Sequence, residues 1–199
     1  MTEGALIALI VALITSIFGP IIVDWFKKEF FNKKDEDPVK EAIKFGEKIE
    51  QQITHIMENV GCNRIWISQF HNGGYFYPTG KSIQKFSIFY ERTLEDIHPI
   101  KEVYQNIPVS LFPKLLSKLY HDGEVYFDQG ESNDLFSLSK DNKSIFSYNT
   151  AISDLEDRFI GILSMSFDRK KEDLTEEEWD FIKEKSGVIG TILSESSKR

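Results

Sequence analysis

RIWISQFHNGG, residues 64–74, alternates Ile65 and Ile67 with Trp66, Ser68 and Phe70, so bulky side chains fall on both sides of an extended chain. A period of two is the mark of a strand. Bulk on both faces predicts a sheet covered on both sides, or covered on one side and pocket-forming on the other. The strand runs into Asn72-Gly73-Gly74, residues that tolerate positive φ, and then through YFYPTG toward a second strand at 83–91, which predicts a hairpin with a long tip.

Upstream, Asp37 and Pro38 have the chemistry of an N-cap and a first helical turn. Ile43, Gly46, Ile49, Ile53, Ile56, Met57 and Val60 follow at three- and four-residue spacing, so 38–60 reads as an amphipathic helix that Gly61 closes. Downstream, Leu111 to Tyr120 reads as a short helix ended by His121-Asp122-Gly123, and EVYFDQ as a short strand. Residues 129–147, rich in Ser, Asp and Asn, read as a loop. YNTAISDLEDRFIGILSMSFDR, residues 148–169, gives two strands about a tight Glu156-Asp157 turn, and Thr175-x-x-Glu178 is a capping box that opens a last helix.

The order helix, two strands, helix, strand, two strands, helix defines an α+β domain on an antiparallel sheet with flanking helices. The outer helices are expected to bury Ile65 and Ile67, with the middle helix and the long loops roofing the other face. RIWISQFHNGG in the place of a first core strand, with the 148–169 hairpin and TEEEWDFIKEKSGVIGTIL (175–193) as the ending, resembles a GAF domain, the PAS-related sensory fold, over roughly residues 40–195. The resemblance implies a non-enzymatic module for ligand sensing or protein interaction, dimerising through helix 38–60 and the closing helix.

Before this domain, the 19 residues from Ala5 to Val23 carry no charge. At a helical rise of about 1.5 Å per residue they reach about 28 Å, the thickness of a bilayer's hydrocarbon core. Glu3 and the absence of a basic residue ahead of the span argue against a cleaved signal peptide. The sequence therefore predicts one transmembrane helix before the domain, with Thr15 and Ser16 hydrogen-bonded back into it. The expected divisions are an anchor over 1–26, a charged linker over 27–37 and the GAF-like domain over 38–199.

Lys27, Lys28, Lys33 and Lys34 follow the span and orient the N-terminus outward and the domain into the cytoplasm. Phe26, Phe30 and Phe31 among these lysines fit either an amphipathic helix in the headgroup layer or a plain stop-transfer flank. A single span ahead of an α+β domain is also similar in layout to the single-span holins of T-even-like bacteriophages, although those place the domain in the periplasm and carry a longer stretch before the span. The formal charge of −8 excludes a polyanion-binding surface, and hence nucleic acid as a partner. The expected partners are the bilayer, a second copy of the chain, and a small ligand or protein.

For chemistry the sequence offers little. Trp66, Ser68 and Phe70 form one wall of an expected pocket, and His71, Asn72, Gly73, Gly74 and Tyr75 offer a turn whose N–H groups suit an anionic or polar ligand. The same turn and His71 serve a hairpin equally well with no ligand. Ser164 and Ser166 place two hydroxyls on one side of the last strand, facing a cavity or solvent. His55, His98 and His121 are not spaced to share a metal, Cys62 reads as a small packed residue, and no phosphate loop or nucleophile elbow is present. No catalytic residue, metal or cofactor is expected.

Overall fold

The computed structural model describes residues 37–75, 82–128 and 144–197, together with Gly4, Ala5, Ala12, Thr15, Ser16 and residues 18–25. The chain divides into two compact units, Met1–Lys44 and Phe45–Arg199. In the first, every described residue from Gly4 to Trp25 is helical. The Thr15 and Ser16 hydroxyls donate to the Ala12 carbonyl at 3.2 and 2.6 Å, as expected. Among the described residues no helix is long and apolar enough to cross a membrane. Nine positions of the sequence-predicted span, and Lys27, Lys28, Lys33 and Lys34 with Phe26, Phe30 and Phe31, lie outside the described residues. Helix α1, Pro38–Val60, is capped as its sequence predicts, the Asp37 carboxylate accepting the Val39 N–H at 3.0 Å.

The second unit is a six-stranded antiparallel sheet in the order β3-β2-β1-β6-β5-β4. Its strands are β1 (Arg64–Tyr75), β2 (Ser82–Thr93), β3 (Ile107–Pro108), β4 (Glu124–Asp128), β5 (Phe146–Ser153) and β6 (Phe159–Phe167). Because side chains alternate along a strand, each strand feeds two separate interiors. On one face Ile65, Ile67, Tyr148 and Met165 join Ile53 and Ile56 of α1 and Ile182 and Ile189 of α3, Glu176–Ser197. On the other, Trp66, Phe86, Ile88 and Val125 join Leu115 and Leu119 of α2, Pro113–Asp122, and Ile100 and Tyr104 of the preceding loop. The expected division into a helix-covered and a roofed face is therefore present.

Local chemistry sets the element ends. Gly61 closes α1 at a φ of 58°, and α3 opens with the expected capping box, in which Glu178 accepts the Thr175 N–H at 2.7 Å and Thr175 Oγ1 accepts the Glu178 N–H at 3.2 Å. Several boundaries differ from the sequence reading: Phe146 and Ser147 belong to β5 and not to the 129–147 loop, and the two-residue β3 was not expected. Asn72, Gly73 and Gly74 do not turn the hairpin; they stay inside β1, which slips register between Asn72 and Tyr75. Glycines in a strand interior mark such a bulge. Helix α2 starts at Pro113 because Val109–Leu111 makes a 3₁₀ turn first, leaving Pro113 at N1. Strand β5 stops at Ser153 because Asp154 accepts the N–H groups of Glu156 and Arg158 with one oxygen, both at 2.9 Å, and folds the turn there.

Two contacts fasten the helices to the sheet. Gly190 of α3 passes so near β5 that a Cβ there would lie 2.2 Å from the Ser153 carbonyl oxygen. Arg169, just past β6, donates at 2.6 Å both to the Val60 carbonyl at the end of α1 and to Glu178 at the start of α3. Burial tends to raise the Glu178 carboxyl, but the hydrogen bonds from Arg169 and Thr175 and the Arg169 charge hold it below its ordinary value of 4.5.

Two expectations follow from these contacts. Gly190→Ala should cost about 1–3 kcal/mol in equilibrium urea unfolding, through displacement of α3 from β5; an unchanged midpoint would show that helix and strand are not in this contact. Because the folded-state Glu178 is depressed, its stabilisation is present above its unfolded value and is lost as pH falls through the folded one. Stability measured from neutral pH down past about 4.5 should accordingly fall more steeply in the wild type than in Glu178→Gln, and parallel curves would contradict the assignment.

Candidate functional site

The roofed face is built in rows, because residues paired across antiparallel strands stand side by side on one surface. Trp66 of β1 is opposite Ser164 of β6, which is opposite Asn149 of β5, which is opposite Val125 of β4. One row along, Arg64 is opposite Ser166, Ser166 opposite Ser147, and Ser147 opposite Phe127. In the other direction Ser68 stands beside Ile162 and Ile88. A polar patch thus occupies the middle of an otherwise apolar interior.

Its members fall into two groups. The first is engaged within the protein. Arg64 and Glu91 form an ion pair at 3.5 Å with side chains 1% and 3% exposed. Glu91 also accepts the N–H groups of Ile100, at 2.8 Å, and Lys101, at 2.7 Å, while Arg64 donates to the His98 carbonyl. Burial lowers the Arg64 guanidinium below the usual arginine range and the Glu91 carboxylate opposes that shift; their hydrogen bonds to His98, Ile100 and Lys101 pin the 97–101 loop over the sheet. Ser166 donates to Asn63 Oδ1 at 2.6 Å, and Asn63 in turn donates its backbone N–H to the Ser166 carbonyl at 2.9 Å.

The second group has no hydrogen-bond partner. The hydroxyls of Ser68, Ser147 and Ser164 and both side-chain atoms of Asn149 are buried and unbonded. Asn149, Ser68 and Ser164 are 0% exposed and Ser147 is 5% exposed. A buried polar group left unmet costs about 1–3 kcal/mol. Natural interiors carry few of them, and five atoms on one patch are a concentration that requires explanation.

The sequence-predicted site residues separate accordingly. Trp66, Ser68, Phe70, Ser164 and Ser166 share the roofed face, with Phe70 packed edge-on to Phe159 at 4.8 Å. His71 lies on the opposite face near the tip, its Nε2 2.8 Å from Ser87 Oγ, which also accepts the Asn106 N–H. Asn72 is exposed and accepts from Ser82. Gly73 lies against the Lys85 side chain, and Gly74 takes a φ of 103°. Tyr75 ends β1; the residues 76–81 that carry the rest of the expected tip lie outside the described ones. The structure therefore does not bring 71–75 to the face that holds Trp66.

Arg64, Glu91, Ser147 and Asn149 were not singled out from the sequence. A signal for two of them exists: in FSYN, residues 146–149, Ser147 and Asn149 alternate with Phe146 and Tyr148, which is polar residues in the period of a strand whose neighbours cover both faces. Elsewhere, burial pushes the Cys62 thiol up to about 12, so it is protonated at neutral pH. Among the described residues no group of three His, Cys, Asp or Glu side chains is arranged to hold a metal ion.

No known family profile matches the sequence, and no curated protein matches it. Solved structures do. A GAF domain/HD domain protein of Geobacter sulfurreducens aligns over 78% of this chain and 95% of its own, at 16% identity and a TM-score of 0.55. The blue-light-absorbing form of the PixJ GAF domain of Thermosynechococcus elongatus aligns over 81% and 91%, at 15% identity and 0.56. The photoproduct state of a Synechocystis GAF domain aligns over 77% and 96%, at 11% identity and 0.54. These likenesses establish the fold: an antiparallel sheet with flanking helices in the GAF-like α+β arrangement.

The ion pair is open to a direct test. Glu91→Ala leaves Arg64 charged, buried and unmatched and should cost about 3–5 kcal/mol in urea unfolding, whereas Arg64→Met combined with Glu91→Leu should cost far less. Equal losses in the single and double variants would mean that the buried charges are not coupled.

Proposed function

We propose that this chain is a membrane-anchored, non-enzymatic regulatory module of the GAF type, in which the roofed sheet face receives a small ligand and α1 and α3, on the opposite face, carry the response. The carrying observation is the contrast between the two faces. One is packed with apolar side chains of the helices, Gln52 Oε1 and Arg169 Nε being unbonded on that side, and the other holds Ser68, Ser147, Asn149 and Ser164 together, buried without partners. A surface that only packs has no use for unmet hydrogen-bonding groups, whereas a surface that takes a guest does. Several similar structures are of light-sensing GAF domains, and one is described as bound to phycoerythrobilin; that sensory role is carried here as analogy.

Support for the anchor is local. Every described residue of the 4–25 stretch is helical, and Phe18, Ile21, Ile22, Val23 and Trp25 are each at least 51% exposed, as lipid-facing side chains are. The four lysines that follow put the domain in the cytoplasm. Val39 and Ile43, 65% and 57% exposed near the start of α1, are the apolar positions through which two copies would pair. Topology separates this reading from the holin layout. A reporter fused after Arg199 should be active in the bacterial cytoplasm; a purely periplasmic signal would overturn the orientation and favour a lysis protein with a periplasmic domain.

A further inference from the structure

We propose that the ligand of the roofed face is a small, uncharged, planar molecule with an amide-type edge, a hydrogen-bond donor beside an acceptor, read by Asn149 with Ser147 and Ser164 flanking it. The inference rests on the ligand-sensing reading above and specifies its chemistry. A carboxamide offers two donors and one acceptor oxygen, and in Asn149 none of them is bonded although the residue is 0% exposed. The natural complement of that group is another donor–acceptor edge in the same plane, the way asparagine pairs in two bonds with the edge of adenine.

The surroundings fix the size and charge of the guest. Ser164 is beside Asn149 across β6, and Ser147 stands two residues along β5 on the same face. Trp66, one strand farther at the register partner of Ser164, supplies an aromatic side chain. With strands about 4.8 Å apart and about 6.8 Å between alternate residues, the patch measures about 10 by 7 Å, the footprint of one heterocyclic ring. Around it lie Val125, Phe127, Leu115 and Leu119.

Among the described residues the charged groups buried on this face are Arg64 and Glu91, and they are engaged with each other and with the His98 carbonyl and the 100–101 N–H groups. An anionic or cationic guest would meet no free counter-charge among the described residues and would lose its hydration without return. A neutral guest loses much less. Because the patch is covered, entry requires the roof formed by α2 and the 97–104 loop to move, which couples occupancy to conformation.

The test uses the full chain purified in detergent, with nicotinamide and uracil as neutral probes and their anionic counterparts nicotinate and orotate. Thermal unfolding is followed against probe concentration. At least one neutral probe should raise Tm in a saturable way, its anionic counterpart binding about tenfold more weakly or worse. Asn149→Leu should leave the probe-free Tm unchanged or raised, because it removes unmet polar atoms, and should weaken binding by about tenfold or more. Ser164→Ala, a smaller change, should weaken it severalfold, while Ser166→Ala, whose hydroxyl already serves Asn63, should leave affinity unchanged.

Anionic probes binding as well as neutral ones, affinity unaffected by Asn149→Leu and Ser164→Ala, or a marked fall in probe-free Tm for Asn149→Leu would each overturn the proposal, the last by showing that the amide is satisfied within the fold. If neither neutral probe acts but charged metabolites shift Tm, the neutral-edge proposal fails and ligand sensing stands. If no metabolite of either kind acts, both fail.

Discussion

Strand β1 is buried on both sides, and the rest of the domain answers to that constraint. Every residue from Cys62 to Ser68 is buried, because β2 and β6 close its edges while helices cover one face and a roof covers the other. That enclosed stretch, up to Ser68, cannot pass a polar side chain to water. Each polar residue along it must find a partner inside the protein or be kept for something that enters. Asn63 and Arg64 meet the demand with Ser166 and Glu91. Ser68, and Ser147, Asn149 and Ser164 on the neighbouring strands, do not.

The two solutions divide the labour of the domain. The engaged groups act as fasteners: the Arg64–Glu91 pair holds the loop over the sheet, and Asn63–Ser166 ties the entry of β1 to the end of β6. Burying charge for this purpose is costly relative to an apolar core of the same shape, and its return is one fixed arrangement of loop and sheet. On the helix-covered face, Gly190 lets α3 sit against β5, and Arg169 joins the end of α1 to the start of α3.

Much of this was legible in the sequence where chemistry is local. The α1 cap at Asp37, its closing glycine, the Thr175 capping box and the alternation in RIWIS each depend on residues within a few positions, so element type and order followed except for the two-residue β3. The bulge at Asn72-Gly73-Gly74 did not, because the same residues suit a turn and a strand irregularity, and only the partner strand decides between them. The site was half legible for a similar reason. Trp66, Ser68 and Ser164 showed their common face through the period of two, but His71 was grouped with them by proximity in sequence, and a single step along β1 reverses its side. Arg64 and Glu91 meet 27 positions apart in the chain, across a hairpin register that no local pattern encodes.

The protein itself leaves the Asn149 amide without a hydrogen-bond partner. A crystal structure of the purified chain at a resolution that shows ordered solvent tests this most directly. The account predicts non-protein density, a small molecule or the waters that hold its place, within hydrogen-bonding distance of Asn149 Nδ2 and Oδ1 and of the Ser147 or Ser164 hydroxyl. An Asn149 amide bonded on both sides to protein groups, with no density beside it, would contradict the account.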